Sequence, residues 1–431
     1  MDIKKQALKG VKWTTISTII LAVTEILKIS VLTRFLDKED FGLMALVVFV
    51  MGFMTLFNDM GLTTAILHKQ DISKKEYASL YWINWAASFV MFGVLLIVTP
   101  LTASFYDQPL LNTLIPLIGI NLLLTGLGSQ YRTIEQKNLL FKFISIVDII
   151  GALLSFIVAI LLAVYDYGVY ALVYSLLVRF TFINLAYFIV GVKKYGLLFH
   201  FKFSETVPFL RIGMYQVGGQ IINYFNRDID ILIIGKFFSP SILGGYSLAR
   251  DLVRKPSIFI SSVLNRVAAP ALAKYVADLP TLKKHYLKLT NMLATVTIPL
   301  YALIAIFAYP IVYVLYGEPF VEITILVQIL CVNMIFRVIG GNLGNLVVAT
   351  GRTDLDLKWN IIAFIITPIF VYVGSLHSIE GVAFMVTLSV VVLFIPSYYA
   401  LVRPLLRNVS LKEYTRAFFV IKNLRSLKKS L

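Results

Sequence analysis

Residues 224–255 read YFNRDIDILIIGKFFSPSILGGYSLARDLVRK. Two runs of membrane-spanning character meet here, and within them stand Arg227, Asp228, Asp230, Arg250, Asp251, Arg254 and Lys255. A charge at the centre of a bilayer costs about 2.5–3.5 kcal/mol on insertion scales, so such residues face a protein interior or a water-filled path. The sense of these charges depends on whether the rest of the chain is a membrane protein.

Composition says that it is. Hydrophobic residues make up 59% of the 431 and charged residues 14%, against roughly 25% charged in soluble domains. Twelve apolar windows follow one another, at about 12–33, 41–66, 78–103, 110–130, 143–164, 168–191, 212–235, 242–269, 289–315, 321–348, 358–376 and 381–402. Each is long enough to cross about 30 Å of hydrocarbon at 1.5 Å per residue. The pattern predicts an all-α polytopic membrane protein of about 12 transmembrane helices. The first window is full length and lacks a small-residue cleavage pattern, so it is expected to stay as an uncleaved anchor. Cys331, the only cysteine, lies inside a span and excludes an intrachain disulfide.

The net charge of +16 suggests nucleic acid until its distribution is read. If MDIKKQALKGVK lies in the cytoplasm, 29 of the 39 Lys and Arg fall in segments on that side. Only Arg34, Lys38 and Lys236 fall on the other, and the rest lie within spans. That asymmetry is the positive-inside pattern. It predicts both termini in the cytoplasm and accounts for the charge without nucleic acid.

The chain also repeats itself. TRFLDKEDFGLMAL (33–46) aligns with GKFFSPSILGGYSL (235–248) at an offset of 202, and four later anchors follow in the same order. Two halves of six helices each enter from the same side, which makes a parallel repeat. The expected organisation is a lobe at 1–192, an interfacial linker at 193–211, a second lobe at 212–403 and a basic amphipathic tail at 404–431, lying on anionic lipid. Outer loops are too short for a catalytic domain, and no nucleophile, metal or phosphate-loop motif occurs, so no enzyme is expected. Two similar bundles around a midplane site is the plan of a secondary transporter. Gly340, Gly341 and Gly344 read as close helix packing, and Pro116, Pro256, Pro299, Pro368 and Pro396 as kinks.

The charges within spans are the candidate site. Arg250 and Arg254 are four apart and share a face. Two guanidinium groups on one stripe match a pyrophosphate through paired hydrogen bonds, or else meet acids from other helices. Arg179 and Arg337 have no acid in their own helix, so each needs a distant partner or a ligand. Glu25 and Lys28 correspond through the repeat to Arg227 and Asp230, with the signs exchanged. The two pairs either close within their own helices or meet across the lobes as an outer gate. Asp59 and Asp148 read as capping or water-contacting groups, or as holders of a coupling cation.

The run NRDIDILIIGKFFSPSILGGYSLARDLVRKP, with VLNRVAAPALAKY (263–275), and the opening GVKWTTISTIILAVTEILKISVLTRFLDKEDFGL resemble the Wzx-type polysaccharide flippases of the MATE-like superfamily. The resemblance implies two MATE-like lobes and a function: moving undecaprenyl-pyrophosphate-linked oligosaccharide from the cytoplasmic to the periplasmic leaflet of a bacterial inner membrane. It implies no cofactor beyond H+ or Na+ coupling, and other polysaccharide assembly proteins as partners. A MATE-type drug exporter shares the architecture, but organic cations favour an acidic cavity, whereas the charges within spans are mainly basic. A glycan polymerase normally needs a large outer loop.

Overall fold

The computed structural model describes residues 3–69 and 71–419, leaving aside the side chains of 3–8, 212–216, 262–263, 265–267 and 419. Among the described residues the regular structure is helical throughout. Twelve long helices correspond to the twelve apolar windows. They are α1 (Ile3–Leu32), α2 (Lys38–Asn58), α3 (Lys74–Phe105), α4 (Leu111–Lys137), α5 (Phe141–Val164) and α6 (Val169–Tyr195). After these come α7 (Phe203–Phe237), α8 (Pro240–Ala273), α9 (Leu279–Ile306), α10 (Thr324–Gly340), α11 (Thr353–Ser375) and α12 (Ile379–Ser397). A short amphipathic helix, α13 (Leu411–Phe419), follows.

Local chemistry sets the ends. Ser73 caps α3 in a reciprocal box with Glu76, and Asp278 and Ser378 cap α9 and α12, each supplying an acceptor for first-turn N–H groups that lack a helical partner. The second window is interrupted: α2 stops at Asn58, Met60 and Gly61 take left-handed backbone (φ 45° and 70°), and Leu62–His68 resumes as a separate turn of helix. The tenth breaks at Gly341 before Asn342–Thr350. An added Cβ would meet nothing within 4 Å at Gly340 or Gly344, so these glycines mark a break in the helix rather than the close packing expected of them. Pro396 precedes a π-helical turn, Tyr398–Val402.

Among the described residues, ten candidate spans are long and apolar enough to cross a membrane. Large apolar side chains such as Val90, Ile97, Leu101 and Ile306 are exposed along them, as lipid-facing surfaces require. The two long helices outside that group are α7 and α8, which carry the charges of the opening stretch. The chain is a multi-pass membrane protein.

It forms two compact units. One is Met1–Tyr224 with Ser239–Gly244, and the other is Phe225–Phe238 with Gly245–Leu431. In the first, α4 packs on α3, α6 and α2, and α5 on α1 and α6, around a core that includes Tyr81, Tyr131, Ile183 and Tyr187. The segment 193–211 runs from the last turn of α6 through irregular backbone at 196–202 into the first turns of α7. In the second unit α9, α10 and α12 pack in sequence, with α11 on α12.

Two contacts in the first unit carry the repeat into three dimensions. A Cβ on Gly42 would overlap the carbonyl of Pro240, and a Cβ on Gly244 would overlap the carbonyl of Lys38. Both glycines and both partners are related by the offset of 202, so the starts of α2 and α8 touch through equivalent atoms. Only glycine admits an approach this close.

The described part of the tail differs from the expectation. Tyr414 and Phe418, one turn apart on α13, are buried in the second unit against Phe394, Tyr398 and Phe336. Lys283 pairs with Glu413 at 2.9 Å, and Asn291 donates to Ala417 O. The apolar face therefore packs on protein rather than lipid, because those aromatic partners are available, while Lys412 and Arg416 remain exposed. Residues 420–431 lie outside the described residues.

Candidate functional site

Each unit holds a cluster of charges inside its helices. In the second, the partners that Arg250 lacks on its own helix come from α7. Its Nη2 contacts Asp228 Oδ1 and donates to Arg227 O at 2.8 Å, and its Nε lies 3.3 Å from Asp230 Oδ2. Tyr246 OH, on α8, donates to the same Asp230 oxygen at 2.8 Å. Arg250, Asp228 and Asp230 are all buried, at 8%, 7% and 5% exposure. A guanidinium held by two carboxylates is a compensated charge, and removing it leaves Asp230 unpaired in a low dielectric.

Arg254, one turn further along α8, stands differently. Its nearest carboxylate oxygen is Asp228 Oδ1 at 3.8 Å, and its side chain keeps 31% exposure. Arg337, on α10, donates to Asn226 O at 3.4 Å and forms no ion pair among the described residues. Asn226 in turn donates to Asn360 O at 2.9 Å, while its Oδ1 is buried without a partner. Arg227 pairs with its neighbour Asp228 at 2.7 Å. The two arginines that share a face thus divide: Arg250 belongs to the fold, and Arg254 presents donors that no carboxylate saturates.

In the first unit Glu25 is the centre. Lys28 Nζ lies 3.0 Å from Glu25 Oε2, and Arg179 Nη1 lies 2.7 Å from Oε1. Arg179 therefore finds its acid 154 residues away, on α1. Lys28 is 5% exposed, so its ammonium depends on that carboxylate. Asp148 pairs with Arg132 at 2.9 Å. Asp59 accepts from Thr63 through Oγ1 at 2.6 Å and N–H at 3.3 Å, capping the short helix after the break. No group of three His, Cys, Asp or Glu side chains able to hold a metal occurs among the described residues.

Sequence reasoning found every charge, but of the pairings only that of Lys28 with Glu25 within one helix, held beside a contact across the lobes. Asp228 was seen only as one more charge, and Tyr246 and Asn226 were missed. The spacing of 16 from Asp230 to Tyr246 across a helical hairpin is a pattern that, once the hairpin is drawn, places them side by side.

An all-helical chain of twelve long helices with basic clusters inside its bundles has the MATE-like architecture. The fold is similar to lipid II flippase MurJ in an inward closed conformation, with a TM-score of 0.76 at 12% identity over 95% of this chain and 90% of that one. It is similar too to an inward-facing multidrug resistance MATE transporter, with a TM-score of 0.69 at 15% identity over 93% and 100%. The sequence profile described as polysaccharide biosynthesis protein matches residues 31–325, and the chain belongs to that family. The lipopolysaccharide biosynthesis protein WzxC of Escherichia coli K12 is 26% identical over 96% of this chain and 84% of its own length. The chain is a multi-pass membrane protein of polysaccharide biosynthesis with the fold of these transporters.

Proposed function

We propose that the chain moves an undecaprenyl-pyrophosphate-linked oligosaccharide from the cytoplasmic to the outer leaflet of a bacterial cytoplasmic membrane, with both termini in the cytoplasm. The observation that carries this reading is the state of Arg254 and Arg337. Both are guanidinium groups inside helical bundles, one with its nearest carboxylate at 3.8 Å and the other with none within ion-pair distance. A half-buried cation with no carboxylate at hydrogen-bonding distance is expensive. A pyrophosphate that reaches it supplies the missing charge through bidentate hydrogen bonds, while the lipid tail stays among the bilayer chains. Family membership supports a glycan on that anion, and the positive-inside pattern supports the orientation. The two six-helix lobes of the repeat would alternate in access, driven by an H+ or Na+ gradient, with Asp59 and Asp148 as the carboxylates to test for coupling.

Deleting the gene and extracting the lipid-linked intermediates is the test. The reading expects oligosaccharide on the polyprenyl carrier to accumulate on the cytoplasmic leaflet while surface polysaccharide is lost. Unchanged surface polysaccharide with no accumulation refutes it.

A further inference from the structure

Away from both charge clusters, the first unit contains a cavity of about 240 Å³ where the first turn of α3 meets the last turns of α4 and α6. Four tyrosine side chains line it, Tyr77, Tyr81, Tyr131 and Tyr195, with Gln130 among them, and the backbone strap Gly196–Leu198 closes one side. The cationic groups nearby are not equivalent. Lys69 is held by Glu76 at 2.6 Å, and Lys137 donates to Lys69 O at 2.5 Å. Lys194, which also lines the cavity, lies 2.9 Å from Glu135 but keeps 44% of its side chain exposed. Lys74, at the rim, is exposed and has no ion pair among the described residues. Gln130 is 5% exposed and its Nε2 donates to Tyr77 O at 2.7 Å. That bond fixes the amide, and among the described residues nothing donates to its oxygen.

These groups define a ligand. Tyrosine faces suit the C–H surfaces of a small polyol or sugar ring, a fixed amide oxygen suits a hydroxyl, and a free ammonium beside a half-exposed one suits a phosphate. We propose that this cavity binds a phosphorylated polyol headgroup, either a soluble sugar or glycerol phosphate or the glycerophosphate head of an anionic phospholipid. The site is separate from the pyrophosphate reading and does not rest on it. Its consequence lies in the strap. Tyr131 OH donates to Gly196 O at 3.2 Å, Trp82 Nε1 to Leu198 O at 2.9 Å, and Lys202 N to Ser79 Oγ at 3.0 Å. A ligand seated between Lys74 and this strap adds to those bonds and stiffens 196–202, the segment that leads into α7.

Hydrogen exchange of the full chain, read on residues 196–202, tests this. One arm adds glycerol 1-phosphate or glucose 1-phosphate to detergent-solubilised protein. The other compares nanodiscs of anionic phosphatidylglycerol with nanodiscs of phosphatidylcholine. Ligand at tenfold its Kd slows exchange by about tenfold if it binds only the closed strap. The proposal expects such slowing from one source in the wild type, and its loss in Lys74→Gln, an exposed position, and in Ala78→Leu, which fills the cavity. Thermal melts establish that each variant is folded, and Lys74→Gln decides alone if Ala78→Leu is not. Slowing in the soluble arm identifies a free metabolite, and slowing only in anionic nanodiscs identifies a lipid. No slowing from either source, or the same slowing in the folded variants, overturns the site.

Discussion

The glycine contact between the starts of α2 and α8 is the sharpest place to perturb the fold. In Gly42→Ala the new Cβ would lie 2.6 Å from the carbonyl carbon of Pro240. In Gly244→Ala it would lie 2.8 Å from that of Lys38 and 2.9 Å from Gly42 N. Ordinary contact begins near 3.4 Å and the carbonyl oxygens stand closer to the new Cβ than their carbons do, so the two backbones must part by more than 0.8 Å (3.4 less 2.6) or 0.6 Å (3.4 less 2.8). Backbone cannot rotate aside as a side chain does, which puts the cost at about 1–3 kcal/mol or more. At roughly 2–4 °C per kcal/mol for a chain of a few hundred residues, each variant should melt several degrees below wild type. The double variant carries a stronger expectation. Once one methyl has opened the contact, the second enters space already made, so the combined loss should fall well short of the sum. Buried Cys331, the only cysteine, gives the assay, because a thiol-reactive fluorogenic dye reports unfolding as the temperature rises. A single variant that melts with wild type, or a double variant whose loss equals the sum of the singles, would refute the reasoning.

The two arginines on one face should respond differently. Arg250→Gln leaves Asp230 buried without a cation and Asp228 with Arg227 as its close partner, and should cost about 3–5 kcal/mol of stability, seen as lost yield or a lowered melt. Arg254→Gln should keep the wild-type melt and lose transport, with Arg254→Lys only partly active because it lacks the fork; equal melts for the two Gln variants would contradict the pairing described here. If Glu25 and Arg227 meet across the lobes as an outer gate, Glu25→Arg and Arg227→Glu should each impair transport and the double exchange should restore it, whereas a double variant no better than the worse single shows that the charges act only within their own units, where Glu25 pairs with Lys28 and Arg179 and Arg227 with Asp228. In a chain with Cys331 replaced by serine, cysteines at Asp37, Ser239 and His377 should react with an impermeant reagent from outside and those at Lys75 and Lys202 should not; one reversed site overturns the orientation of its hairpin. Hydrogen bonds from Ser410 N–H and Lys283 hold the Glu413 carboxyl below its ordinary value. Its charged form therefore favours docked α13 fully above the unfolded glutamate range near pH 4.3, and that contribution fades as the pH falls through and below that range. Protection of 411–419, taken relative to the intrinsic exchange rate at each pH, should fall on acidification in wild type, and Glu413→Gln should remove most of that pH dependence while being less protected at pH 7.

The charges of 224–255 show where sequence reading reaches and where it stops. That they stand on helices of spanning length followed from the apolar runs around them, since hydropathy over about 20 residues is a local sum. That Arg250 is committed to Asp228 and Asp230 did not follow, although all three stood in the quoted stretch. On α8 alone Arg250 and Arg254 are equivalent, and only the way α7 lies against α8 brings the carboxylates to one of them. Arg179 shows the same limit at longer range, because its acid comes from the opposite end of the first six helices. The tail shows it for an amphipathic helix: α13 has the pattern of a lipid-lying segment, and whether lipid or protein covers its apolar face depends on a groove formed by residues far from it in sequence.

What the sequence determined by itself was the solvent, the helix count and the duplication, since the bilayer imposes its thickness on every span and each apolar run meets that demand independently of its neighbours. The offset of 202 even named Gly42 and Gly244 as counterparts. Tertiary structure alone decided that their backbones touch, which arginine is neutralised and which keeps free donors, and which face of the tail is covered. Those outcomes depend on distances of a few ångströms between helices, and residue order along one helix carries no record of the residue that faces it from another.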